Sequence, residues 1–217
     1  MIRIVIVDDH DLVREGIRAL LEQDPIFQVV GETGDGQEAI RLATRLRPDV
    51  VLMDVSLPGG IGGLEATEAI VADCPGVKVI ILTQYEHREY IQRAIRIGAR
   101  GYLLKRSVAA QLKDAIKMVH LGQRYLHPAA AEELADLVAT GTSLDEDDYD
   151  RLTPREKQVF KLLAEGKTSR DIAKYLTISL KTAMTHRTNL MAKLNMHSRA
   201  ELIRYAIRKA IISLEGP

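Results

Sequence analysis

The sequence predicts an α/β protein, a doubly wound five-stranded parallel sheet, joined to a second, all-α domain of four helices. Three observations carry this. Short β-branched runs alternate with helical stretches five times before residue 122. Beyond the acidic run that ends at Asp150 four helical segments follow one another with no strand signal. The charge divides in the same way: residues 1 to 150 hold 16 Lys+Arg against 25 Asp+Glu, a balance of −9, and residues 151 to 217 hold 14 against 5, a balance of +9. A chain of zero formal net charge is thus an acidic half joined to a basic half, and the basic half points to a polyanion.

Strands are expected at about residues 3 to 8, 28 to 32, 50 to 54, 78 to 83 and 101 to 104. Asp11 is placed as the cap of a first helix running through Leu21, and GDGQEAIRLATRLRP carries a second that stops before Pro48. Leu64 to Asp73, His87 to Ile97 and Val108 to Leu121 make the next three. Strand followed by helix, repeated, implies right-handed crossovers and a parallel sheet. An alanine-rich helix is expected from His127 to Val138, then ATGTSLDEDDYD supplies small residues and an acidic run, read as a solvated linker, with mimicry of nucleic acid that shields the basic domain as the alternative. The boundaries follow as a domain over residues 1–122, a linker over 123–150 and a helical domain over 151–217. Its four segments, TPREKQVFKLLAEG, TSRDIAKYLTI, SLKTAMTHRTNLMAKL and SRAELIRYAIRKAI, each open on a Thr or Ser suited to capping.

At 217 residues and 46% hydrophobic content the chain can build two modest cores. Cys74 is the only cysteine, which excludes an intramolecular disulfide and fits a reducing compartment. No apolar stretch approaches a membrane span, so a soluble cytoplasmic protein with no membrane partner is expected.

The strand ends carry the chemistry. Asp8, Asp9, Asp54, Thr83 and Lys105 all close apolar runs, and in an open parallel sheet such ends converge on the edge where ligands bind. Crowded carboxylates repel unless a cation lies between them, which points to a hard divalent ion, Mg2+. A lysine point charge and a threonine hydroxyl beside it suit a phosphoryl group. The six histidines show no ligand spacing, which argues against zinc.

This set, Asp8–Asp9 after a first strand, Asp54 followed by Pro58, Thr83, and Lys105 three residues after Tyr102, resembles the flavodoxin-like receiver domain of two-component response regulators over about 120 residues. The resemblance implies that Asp54 takes a phosphoryl group from a sensor histidine kinase. It also implies that Asp9, Asp54 and the Ser56 carbonyl ligate magnesium, with Asp8 acting through water, and that Lys105 pairs with the phosphoryl oxygens. Thr83 and Tyr102 would form the switch. The loop after Asp54 departs from the family: PGGIGGLE has four glycines and one apparent extra residue. Tyr85, two residues past Thr83, either covers the phosphoryl group against water or only packs on the surface.

In the basic half, SLKTAMTHRTNLMAKL has Leu180, Ala183, Leu190, Met191 and Leu194 as its expected buried stripe, with Lys181, Met184, Thr185 and Thr188 on another, solvent-facing side. Such a helix suits a major groove. From Leu152 to Leu194 the chain resembles the LuxR-type helix-turn-helix, which with a receiver marks the NarL/FixJ group of response regulators. The resemblance implies base contacts from Met184, Thr185 and Thr188, and phosphate contacts from Lys181, Thr182, Arg187, Asn189, Lys193 and Arg199. Met184 stands where the family usually has a polar residue, so apolar contact to a thymine methyl is expected there. Leu202, Ile203, Ala206, Ile207, Ala210 and Ile211 of the last helix form the expected seam of a homodimer on double-stranded DNA. The reading is therefore a phosphorylation-dependent transcription regulator, not a dedicated enzyme. The alternatives are a constitutive DNA-binding protein whose receiver only dimerises, and a magnesium-dependent phosphotransferase, for which the DxD spacing is missing.

Overall fold

The computed structural model describes residues 1–84, 88–128, 130–132, 135, 148, 149, 151–209, 211 and 212. Two compact units divide the chain, one built on a sheet and one on helices. Tyr85, His87, Ala210 and nearly all of the acidic run lie outside the described residues.

In the first unit, strands β1 (Ile2–Val7), β2 (Phe27–Thr33), β3 (Val50–Asp54), β4 (Lys78–Thr83) and β5 (Gly101–Leu104) alternate with helices α1 (Asp11–Glu22), α2 (Gly36–Leu46), α3 (Gly63–Asp73), α4 (Arg88–Arg96) and α5 (Val108–His120). The strand order is β2-β1-β3-β4-β5-β6, all parallel. The sheet is one strand wider than the sequence reading: β6 (Tyr125–Leu126) pairs with the edge of β5 and lies inside the segment assigned to the linker. Gly122, at φ 87, permits the turn that brings it back, and two residues are too few to carry a periodic signal.

β3, the central run VVLMD, is buried throughout, as expected of a strand covered on both faces. Ile4, Ile6, Leu52, Ile80 and Leu82 pack with Ile17 and Leu21 of α1 and Leu112 and Ile116 of α5, while the alternate residues Val5, Val51, Met53, Val79 and Ile81 are buried on the opposite face. α2 is capped as its sequence suggests: Asp35 accepts a hydrogen bond from Glu38 N, and Arg47 ends the helix at φ 45 before Pro48. The cap of α1 is a correction. His10, not Asp11, is the N-cap residue; Asp11 is already inside the helix, where its carboxylate pairs with Arg14.

Helices α6 (Pro154–Ala164), α7 (Ser169–Tyr175), α8 (Leu180–Lys193) and α9 (Arg199–Arg208) form the second unit. Each is capped by the expected hydroxyl: Thr153, Thr168, Ser179 and Ser198 accept from the backbone three residues on, and the first two complete capping boxes with Glu156 and Asp171. Phe160 anchors the core, meeting Tyr149 edge-on at 5.4 Å and Tyr205 at 6.0 Å, with Ile172, Ala183, Leu190 and Leu202 around it. Leu180 is a second correction: it is 42% exposed and lies outside the stripe that buries Ala183, Leu190 and Leu194. The expected 127–138 helix is helical at Pro128, Ala130, Ala131, Glu132 and Ala135; its remaining residues lie outside the described set or, at His127, before it.

Candidate functional site

The carboxyl ends of β1, β3 and β5 deliver the acidic and basic groups to one place. Lys105, in the 3₁₀ turn directly after β5, puts its Nζ 2.8 Å from Asp54 Oδ2 and 2.7 Å from Asp8 Oδ2. Asp8 is fully buried and Asp54 nearly so. Such carboxylates are stable only with charge and hydrogen bonds supplied. Asp8 Oδ1 accepts from His10 N at 3.0 Å, and Ser56 N donates to Asp54 Oδ1 at 3.3 Å. Burial pushes the Asp54 carboxyl above its ordinary value and Asp8 adds to this, against the opposing pull of Lys105. For Lys105 burial acts downward, but Asp54 and Asp8 outweigh it and hold the ammonium above the usual lysine value.

The loop leading away from β3 is shaped around Asp54. A Cβ on Gly63 would lie 1.7 Å from the Asp54 carbonyl oxygen, so α3 can start this close to β3 only with glycine there. Gly63 N donates to Val55 O at 3.2 Å, and Thr67 Oγ1 to Gly63 O at 2.7 Å. Thr83 and Tyr102, at 0% and 2% exposure, lie on neighbouring strands beside this end of the sheet.

Asp8, Asp9, His10 and Asp54 each bring one ligand atom within 4.8 Å of the others. Asp8 Oδ2, held to Lys105 as an ion pair, and Asp9 Oδ1 are both screened from solvent and accept no well-aligned hydrogen bond. Carboxylate oxygens screened from solvent and gathered in this way suit a hard divalent cation. Sequence reasoning passed over His10, whose Nδ1 lies 2.9 Å from Asp9 Oδ1 and 3.3 Å from Asp8 Oδ1. Its adjacency to the acid pair was the available signal; histidine spacing was uninformative because the partners are carboxylates.

In the second unit, α8 exposes Lys181, Thr182, Met184, Thr185, Arg187, Thr188 and Asn189. The turn before it contains Thr177 at φ 53 and is held by Arg155 Nη2, which donates to Leu176 O at 2.8 Å. Two of the expected contact residues are tied to α6 of their own domain. Lys193 Nζ lies 2.7 Å from Glu156 Oε2, and Arg199 Nη2 donates to Leu163 O at 3.3 Å near the end of α6. Of the expected seam on α9, Leu202 and Ala206, with Ile211 beyond it, are buried in the bundle core, whereas Ile203 and Ile207 remain half-buried.

Residues 4–117 match the response regulator receiver domain and residues 150–206 the luxR family of bacterial regulatory proteins. The transcriptional regulatory protein LiaR of Bacillus subtilis is 39% identical over 98% of this chain and 100% of its own length. The response regulator GacA of Pseudomonas viridiflava is also 39% identical, over 98% of each chain. Among solved structures, RcsB from Salmonella enterica serovar Typhimurium, bound to promoter rprA in the presence of phosphomimetic BeF3-, aligns with a TM-score of 0.58 and 27% identity. That alignment covers 94% of this chain and 97% of RcsB. With its acidic pocket at one end of the sheet and its helix-turn-helix beyond, the chain belongs to the NarL/FixJ group of response regulators, a receiver joined to a LuxR-type domain.

Proposed function

We propose that Asp54 accepts a phosphoryl group from a sensor histidine kinase and that this modification controls DNA binding by α8, as a homodimer in the cytoplasm. The observation that carries the reading is the Lys105 ammonium held between Asp54 and Asp8 at 2.8 and 2.7 Å. In the transfer, an Asp54 carboxylate oxygen forms a bond to phosphorus while the bond from phosphorus to the donor imidazole nitrogen breaks, the electron pair leaving with the imidazole. A carboxylate is a weak nucleophile, so positioning and charge neutralisation must lower the barrier. Lys105 contributes a positive charge to the equatorial oxygens. Thr83 offers its hydroxyl to one of them, and Tyr102 responds in the switch. Asp9, Asp54 and the Ser56 carbonyl would hold Mg2+ directly, with Asp8 acting through water; when bound, the ion neutralises charge on the phosphoryl group. The gathering of ligand atoms from Asp8, Asp9 and Asp54 within 4.8 Å of one another supports this assignment.

For the DNA-binding part, support comes from the +9 balance of residues 151 to 217 and from the exposed face of α8. Met184, Thr185 and Thr188 would face base edges, and Lys181, Thr182, Arg187 and Asn189 phosphates. Lys193 and Arg199 would reach phosphate only by sharing or leaving their partners Glu156 and Leu163. Among the described residues no helix is long and apolar enough to cross a membrane. The relative RcsB, bound to a promoter with a phosphomimetic present, supports both halves of the reading.

Acetyl phosphate treatment followed by mass spectrometry tests the phosphoryl assignment. One phosphoryl group is expected on the Asp54 peptide, abolished by chelation and by Asp54→Asn. Label retained in that variant overturns it.

A further inference from the structure

The outward face of α8 carries an apolar step. Leu180 and Met184 are 42% and 55% exposed, and with Tyr175 they are the exposed large hydrophobic residues of the helical unit among those described. Four residues apart on one helix, they are neighbours on the same face. Together with Lys181, Thr185, Thr188 and Asn189 they line one shallow depression. The Thr185 hydroxyl donates back to Lys181 O at 3.0 Å, which turns its polar end into the helix and leaves its methyl outward.

The charge around this step selects the occupant. Lys181 and Arg187 are exposed on the same helix of a domain with a balance of +9, which suits a polyanion. A nucleic-acid duplex shows one apolar group in its major groove, the C5-methyl of thymine. Resting on the proposed DNA-binding role of α8, we infer that Leu180, Met184 and the Thr185 methyl form a shelf that reads thymine methyls at neighbouring positions of each half-site. A cationic residue at Met184 would select guanine instead, because guanine presents two acceptors to a donor. Met184 provides no donor, so discrimination at that position rests on covering a methyl group, and Leu180 extends the covered surface by one helical turn.

The test uses the full chain, treated with acetyl phosphate, and the duplex it enriches from a randomised library. Thymines are replaced one at a time by deoxyuridine, which removes only the methyl. Binding is expected to weaken about fourfold at each of two neighbouring positions per half-site, the factor equivalent to about 0.8 kcal/mol for one buried methyl. Met184→Ala should equalise thymine and uracil at one of these positions and Leu180→Ala at the other. Both side chains are exposed, and unchanged thermal melting of the variants would show that the fold is kept. Equal affinity for uracil and thymine at every position overturns the shelf while leaving α8 as the DNA reader, as does uracil discrimination that survives both variants. Failure to enrich any sequence overturns the DNA-binding reading and this inference with it.

Discussion

Replacing Lys105 by methionine keeps most of the side chain's length and removes the cation that, among the described residues, faces both Asp8 and Asp54. The ammonium is 13% exposed and the two carboxylates 0% and 3%, so this is a buried ionic cluster. Removing one partner of such a cluster costs about 3 kcal/mol, because the remaining charges stay desolvated and repel. Lys105→Met is therefore expected to lower the stability of the sheet unit by about 3 kcal/mol at neutral pH without divalent cations. Asp54→Asn in the same background should recover most of this, since it removes one of the two like charges. The pH dependence has a definite sign. Burial raises the folded pKa of Asp54 above its unfolded value, so its contribution to stability is fully present below about pH 3.9 and is lost as pH rises through the folded value. The deficit of Lys105→Met should accordingly shrink on acidification. The chain has no tryptophan and two units, so native-state hydrogen exchange of the β1 and β3 amides is the suitable assay. A loss below about 0.5 kcal/mol at neutral pH, within the range of an ordinary surface substitution, would refute the charge-balance reasoning.

Two further predictions concern the helical unit. Lys193→Ala should destabilise it by about 1 kcal/mol through the Glu156 pair, a value between those of exposed pairs and charged hydrogen bonds because Lys193 is 41% exposed. That cost should vanish in a Glu156→Gln background, and a double-mutant cycle by denaturant unfolding checks it. Burial pushes Glu156 up, but Lys193 and Thr153 outweigh it and hold its carboxyl below the ordinary range, so the pair's contribution is present above about pH 4.3 and is lost as pH falls through the lower folded value. Thr177→Gly should raise the melting temperature of the same unit, with a gain of about 0.5 kcal/mol, since a β-branched residue at φ 53 is strained and glycine is not. A lower melting temperature would show that the threonine side chain stabilises the turn.

The sequence made legible whatever depends on period and spacing. β3, β4 and β5 fall at the expected residues because a strand buried on both faces reads as an uninterrupted apolar run. The four C-terminal helices begin after their expected caps because Ser and Thr side chains satisfy the first free N–H groups whatever lies around them. Tertiary geometry was not legible. His10 takes the N-cap position of α1, without a side-chain capping hydrogen bond, and faces both aspartates because α1 starts where β1 ends, whereas composition favoured Asp11. Leu180 reads as core by residue type, yet at the first position of α8 it projects away from the bundle. Nor could spacing show that Lys193, on α8, sits beside Glu156, which is on α6. For Gly63, the glycine-rich loop was visible as a departure, while the reason for this glycine, a backbone so close to the Asp54 carbonyl oxygen that any Cβ would clash with it, is a matter of tertiary geometry.

Whether phosphoryl chemistry at Asp54 controls DNA binding by the same chain is read from DNA affinity with and without acetyl phosphate, in the parent and in Asp54→Asn, at fixed salt. The phosphodonor is expected to shift the affinity of the parent for its enriched duplex and to leave that of Asp54→Asn unchanged. An equal shift in both proteins, or none in a parent shown to carry the phosphoryl group, would contradict it.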